Sequence, residues 1–311
     1  MQYVCCILIE IAHFCLPVKK TLIVVLGPTA SGKTALSIAL ARKYKTEIVS
    51  ADSRQVFREM TIGTARPTEQ EWDGVQHHLL GHLSIHDNYN AALYERDATK
   101  ILNAIFEKHD NAIVCGGTGL YIKALLEGFD EVPPADETIR QQLETDLSEK
   151  GIEYLQEELK KRDPDFFAIA EIQNPQRLMR AIEMVMVSGK THTELRKGKK
   201  KTLPWIVRKI GIDLPREELY MRINRRVDEM MQNGLLEEAK TLFPYKHLNA
   251  LQTVGYTELF DHLEGKIDLE KAVELIKQHT RNYAKRQLTW FRRDEEIIWV
   301  KPGVVPDLGI E

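Results

Sequence analysis

Gly27-Pro28-Thr29-Ala30-Ser31-Gly32-Lys33-Thr34 has the spacing G-x-x-x-x-G-K-T. Glycines at those places let successive backbone N–H groups turn inward, and with the start of a following helix these amides form an anion cradle. Lys33 adds a point charge for terminal phosphates, and Thr34 adds a hydroxyl for Mg²⁺. Gly27 to Thr34 are therefore candidate diphosphate or nucleotide ligands. A nucleotide-hydrolysing site usually carries a further strand-end acid for the metal. Here Ile113-Val114-Cys115 runs instead into Gly116-Gly117-Thr118, and the nearby acid is Asp52 in Ala51-Asp52-Ser53-Arg54-Gln55. Such an acid can accept a proton or hold an amine, with Thr118 reaching the same centre. A plain turn or helix cap is the structural alternative for Asp52.

These side chains meet only if the right elements carry them. Thr21-Leu22-Ile23-Val24-Val25-Leu26 is an unbroken apolar run suited to a strand buried on both faces. A helix from Ala35 to Tyr44, a second strand at 47–50, a third at 112–115 and a helix from Leu120 to Glu127 follow. That alternation predicts an α/β fold, a P-loop doubly wound parallel sheet with the candidate groups at its carboxyl edge. Composition changes near Val132-Pro133-Pro134, and Asp136 to Gly189 shows helical periodicity only, with Leu143, Leu147, Leu155 and Leu159 on apolar faces. The expectation is a small all-helical domain, residues 131–203, inserted into a core formed by 20–130 and 204–311. Pro204 to Ile212 returns as a strand. Pro215 opens a helix with Leu219, Ile223, Val227 and Met230 on one stripe. A last helix covers 269–293 and a last strand 297–300, and Trp290 and Phe291 are expected in the core.

The 311 residues are 43% hydrophobic and 29% charged, ordinary globular usage that excludes disordered, collagen-like and disulfide-stapled classes. Cys5, Cys6, Cys15 and Cys115 make no zinc-site spacing, and the ten histidines form no metal constellation. A reducing cytoplasm is expected. His77-His78 is expected to be a structural or loop pair. Met1 to Leu16 is apolar but contains Glu10 and His13 and starts without Lys or Arg, unlike a signal peptide, and no window is apolar enough to span a bilayer. Residues 1–19 are expected to be an extension of unassigned role, dispensable or the product of an early start codon. The net charge of −3 conceals blocks: 177–201 holds eight basic residues against Glu183 and Glu194, and 281–293 holds five basic residues and no acid. Arg281, Lys285 and Arg292 are expected on one helical face suited to a phosphate backbone.

Seven collinear blocks between residues 20 and 300 resemble the tRNA dimethylallyltransferases: the P-loop, Ser50-Ala51-Asp52-Ser53-Arg54-Gln55, Ile62-Gly63-Thr64-Ala65, Gly116-Gly117-Thr118-Gly119-Leu120-Tyr121, Asn174-Pro175-Gln176-Arg177-Leu178, Val254-Gly255-Tyr256 and the run Ala284 to Arg292. The resemblance implies transfer of a dimethylallyl group from dimethylallyl diphosphate to N6 of adenosine 37, in the anticodon loop of tRNAs reading codons that begin with U. The loop would then hold a diphosphate leaving group, with Mg²⁺ at Thr34 and Arg222 as a further diphosphate ligand. Asp52 would orient the amine and take its proton, Lys33 would stabilise the leaving group, and Thr118 would bond near the diphosphate or N6. Implied tRNA contacts are Asp52 to Gln55, Thr118, Arg140, Gln176, Arg177, Leu178, Met179, Arg180, the run Gln252-Thr253-Val254-Gly255-Tyr256-Thr257, Arg281 and Lys285. Partners would be tRNA and dimethylallyl diphosphate, with no membrane, for a monomer. Phe57 stands where the family commonly has Tyr, and no ligands for a C-terminal zinc finger are present.

On the residues alone, a P-loop kinase acting on a small metabolite accounts for the loop and the sheet but leaves Gln176-Arg177 and the basic helix unassigned. A non-catalytic RNA-binding module leaves Asp52 without work.

Overall fold

The computed structural model describes residues 20–128, 133, 135–195 and 201–310. The N-terminal extension and residues 196–200 of the basic loop lie outside the described residues.

Two compact units form. The first combines the described residues up to Leu125 with those from Leu203 onward. Its strands are β1 (Thr21–Leu26), β2 (Ile48–Ser50), β3 (His77–His78), β4 (Asn111–Gly116), β5 (Ile206–Ile212) and β6 (Ile297–Val300). They make one six-stranded sheet in the order β3-β2-β4-β1-β5-β6, and every pairing is parallel. β1, fully buried, lies between β4 and β5, which is why its sequence is apolar without alternation. The register sets Leu26 beside Gly116 and Ser50 beside Cys115, so three strands end level and release the P-loop, the Asp52 turn and the Gly117-Thr118 turn at one edge.

His77-His78 is the edge strand β3 rather than a loop pair; a two-residue strand is too short to show alternation. The helices here are α1 (Lys33–Lys43), α2 (Glu69–Trp72), α3 (Ala91–Lys108), α4 (Gly119–Glu127), α9 (Arg216–Gln232), α10 (Leu235–Leu242), α11 (Tyr256–Leu263) and α12 (Leu269–Phe291). Leu219, Ile223 and Val227 form the buried stripe of α9, with Met230 partly buried. A second apolar cluster joins Val56, Phe57 and Met60 to Leu235, Leu251, Tyr256, Leu259 and Ile276, fastening α9 to α12. Phe291 is buried as expected, but Trp290 is 38% exposed, because its ring lies over Gly119 at the surface.

The second unit, Leu126–Thr202, contains α5 (Glu137–Arg162), broken at Gly151, α6 (Pro164–Ile169), α7 (Pro175–Ser188) and α8 (His192–Leu195). Leu143, Leu155, Leu159, Leu178, Met179 and Ile182 form its core. Asn174 caps α7 through the Arg177 amide, with Pro175 in the first turn. Glu183, fully buried, accepts the Asp136 amide at 2.8 Å and an Arg180 guanidinium at 2.9 Å, while Arg140 approaches to 3.6 Å.

Candidate functional site

The P-loop follows β1 directly and ends in α1, whose left-handed Gly32 (φ 94°) and strained Ala30 (φ 62°) turn the chain into the cradle. Lys33 Nζ reaches back to the Pro28 carbonyl at 3.3 Å. Burial pushes its pKa below the ordinary lysine value, against the attraction of Asp52, so an anion entering the loop gains a cation that water solvates poorly. Ser31 is buried with an unpartnered hydroxyl.

Asp52 satisfies its structural alternative with one oxygen: Oδ1 accepts the Arg54 and Gln55 amides at 2.9 and 3.2 Å. No described group bonds its other oxygen, and the residue lines a cavity of about 510 Å³. Thr29, Lys33, Asp52 and Arg226 form the polar floor of that cavity, while Ile223, Val227, Met230 and Ile276 form an apolar wall. Thr34 lines a smaller recess beside Ser50, Asp52 and Arg226.

Thr118 does not line the larger cavity. Its hydroxyl accepts the Ser53 amide at 3.0 Å, which secures the Asp52 turn, and it bonds the Tyr283 phenol at the cavity edge. Arg222 pairs with Glu218 at 2.7 Å and stands near Gly32 at the rim. One turn further along α9, Arg226 lines both cavities, has no ion pair among the described residues, and has its pKa lowered by burial. Both arginines of α9 stand near the loop, as one helix repeat allows, and Arg226 is the one that lines the cavities.

Of the residues read as tRNA contacts, Leu178, Met179 and Tyr256 point into cores. The helix periodicity inside those blocks requires it, since alternate turns must bury something. Gln176 and Arg177 are exposed, and Arg140 donates to Gln176 within the helical unit. Arg54 donates to the carbonyls of Asn249 and Ala250, and Gln55 to those of Thr64 and Ala65. Ser53, Arg54, Gln252, Thr253, Val254, Gly255 and Thr257 line the cavity. Arg281 is spent on Asn224 at 2.6 Å and on the Tyr220 ring, and Arg292 on Asp213 at 3.2 Å, whereas Lys285 stays exposed.

Sequence reasoning missed Arg226, Tyr283, Arg286, Gln287 and Glu238. Tyr283, Arg286 and Gln287 share one face of α12 at the cavity, the i, i+3, i+4 spacing that could have shown them. Burial pushes the Tyr283 phenol up to about 12, with the Asp52 charge adding to it, so it stays protonated across the physiological range. Glu238 accepts the amides of Thr61, Ile62 and Gly63 at 3.0, 2.8 and 2.9 Å and the Tyr256 hydroxyl at 2.6 Å. It fixes the loop whose Gly63, Thr64 and Ala65 close the cavity. Gly63 lies so close to the Tyr256 ring that a Cβ would sit 2.6 Å from it.

The IPP transferase family model matches residues 55–294. The chain is 47% identical over 291 residues to the tRNA dimethylallyltransferase of Cytophaga hutchinsonii, covering 94% of this chain and 96% of that one. The crystal structure of the tRNA isopentenylpyrophosphate transferase of Bacillus halodurans superposes with a TM-score of 0.68 at 37% identity, covering 94% of this chain and 92% of that one. The structure of a eukaryotic dimethylallyltransferase acting on tRNA superposes with a TM-score of 0.74 at 28% identity, over 91% of this chain and 74% of that one.

Proposed function

The chain belongs to the IPP transferase family and is a prenyltransferase that moves a dimethylallyl group to tRNA, and we propose that it does so from dimethylallyl diphosphate to N6 of adenosine 37 in tRNAs reading codons that begin with U. One observation carries this reading: an acid, two poorly solvated cations and an apolar wall converge on a single cavity. Ile223, Val227, Met230 and Ile276 suit the dimethylallyl chain. The amides of the P-loop, Lys33 and Arg226 suit the diphosphate, whose negative charge grows as it leaves. Such preorganised charge is commonly the largest catalytic contribution.

N6 of adenine is a weak nucleophile because its lone pair is delocalised into the ring. The unpartnered Asp52 oxygen would hold N6–H, orient the lone pair toward the allylic carbon and take the proton as the C–N bond forms. The target base would leave its stack at a cost of a few kcal/mol to enter the cavity. Ser53, Arg54 and the 252–257 turn would meet it there, and Gln176, Arg177, Arg140 and Arg180 of the helical unit would meet the anticodon loop elsewhere.

Mg²⁺ fits the donor set at Thr34, a hydroxyl beside a phosphate cradle. No group of three or more His, Cys, Asp or Glu able to hold a metal occurs among the described residues, so substrate oxygens and water would supply most of its ligands. When bound, it neutralises charge on the departing diphosphate. No helix among the described residues is long and apolar enough to cross a membrane.

Incubation with dimethylallyl diphosphate and unmodified tRNA tests the reading. Diphosphate release matched by prenylated tRNA is expected; ADP release from ATP with unmodified tRNA contradicts it.

A further inference from the structure

Gln287 lies on α12, is 6% exposed and uses both ends of its amide. Its Oε1 accepts the backbone N–H of Thr29 in the P-loop at 2.9 Å, and its Nε2 donates to the carbonyl of Gly117 at 2.9 Å. Thr29 N–H can only donate and the Gly117 carbonyl can only accept, so the amide has one workable orientation. The bridge is also why residue 117 is glycine: a Cβ there would sit 2.3 Å from Nε2. Two consequences follow. The Thr29 amide is already occupied, leaving the later loop amides to face an anion. The P-loop is also tied to the turn that carries Thr118, which in turn holds the Asp52 turn through the Ser53 amide at 3.0 Å.

We propose that Gln287 is a positioning residue that sets the P-loop in register with the Asp52 turn, so that the departing diphosphate and the attacking amine lie on opposite sides of one carbon. This rests on the prenyl-transfer reading above. Alignment of this kind is sensitive, and a misplacement of about 1 Å can cost about 100-fold in rate.

Gln287→Met keeps the length and apolar bulk but removes both hydrogen bonds. Gln287→Glu keeps an acceptor for Thr29 N–H, and regains a donor toward Gly117 O only when its carboxyl is protonated. Expected for Gln287→Met is a fall in kcat/KM of about 100-fold at every pH. Its inorganic diphosphate binding should weaken about 10-fold, with tRNA affinity close to wild type and a melting temperature lowered but still well above the assay temperature, since the Thr29 amide and Gly117 carbonyl lose their partner. Expected for Gln287→Glu is a loss that shrinks at least about 10-fold, relative to wild type at the same pH, as pH falls toward the carboxylate range. Variants that turn over within twofold of wild type overturn the proposal. So does equal impairment of both variants with no recovery of Gln287→Glu in acid, which is the signature of packing alone. If the prenyl-transfer reading is at fault, wild type itself fails to prenylate tRNA, while the inorganic diphosphate titration still reports on the bridge.

Discussion

Asp52 divides its work between two oxygens, one capping its own turn and one unpartnered at the cavity. Asp52→Ala should therefore reduce turnover by about 10²–10⁴-fold, the usual worth of a general base, while tRNA affinity changes by less than a few-fold in a filter-binding titration. Equal losses of binding and turnover would remove the base role. The two arginines of α9 part company in the same way. Arg226→Ala should raise KM for dimethylallyl diphosphate about 10–100-fold, since a charged hydrogen bond contributes about 1.5–3 kcal/mol, and Arg222→Ala should change it far less. Steady-state kinetics of the pair decide between them. The P-loop and Asp52 were legible in sequence because backbone geometry and strand-end position constrain residue type there. Arg226 was not, because Arg222 and Arg226 share one face of α9 a single turn apart, and local sequence does not say which turn lies level with the cavity.

The loop from Thr61 to Ala65 has little structure of its own, and its shape is imposed by α10 and α11. Glu238 takes three consecutive amides and the Tyr256 hydroxyl, and Gly63 packs against the Tyr256 ring. Glu238→Ala would leave those donors unmet and should destabilise the protein by roughly 2–3 kcal/mol, as leaving a buried donor unsatisfied costs about 1–3 kcal/mol. Urea unfolding measures this; a change below about 0.5 kcal/mol, ordinary for a surface substitution, would contradict it. The sequence marked Ile62-Gly63-Thr64-Ala65 only as a block of resemblance. Its partner lies about 175 residues away in the chain, and no periodicity links them. By contrast, β1, β4, β5, α9 and α12 were readable, because burial on two faces or on one stripe writes itself into the order of apolar residues, whereas the 18-residue helix α3 went unread. The strand β3 was not, since two residues carry no pattern.

At the scale of the molecule, the net charge of −3 says nothing about RNA, and even the local basic blocks overstate the free charge. Arg292 is paired with Asp213 and Arg180 with the buried Glu183, while Arg281 keeps its charge but is held by the neutral Asn224 amide. Lys285 remains exposed on α12. Lys285→Glu should weaken tRNA binding and lower the slope of log affinity against log salt by about 1, without altering KM for the diphosphate substrate; an unchanged slope would remove Lys285 from the tRNA path. In the sequence, a helical unit inserted into a parallel-sheet core is suggested by the change in period at Val132-Pro133-Pro134. Which of its side chains face outward was not legible there, as Leu178 and Met179 show by joining its core. In the proposed function, this cavity joins a dimethylallyl group to N6 of adenosine 37. Mass spectrometry of nucleosides from tRNA treated with dimethylallyl diphosphate and enzyme tests it most directly. N6-(dimethylallyl)adenosine should appear at position 37 with wild type and be nearly absent with Asp52→Ala. Unmodified adenosine 37 with wild type, or full modification by Asp52→Ala, would contradict it.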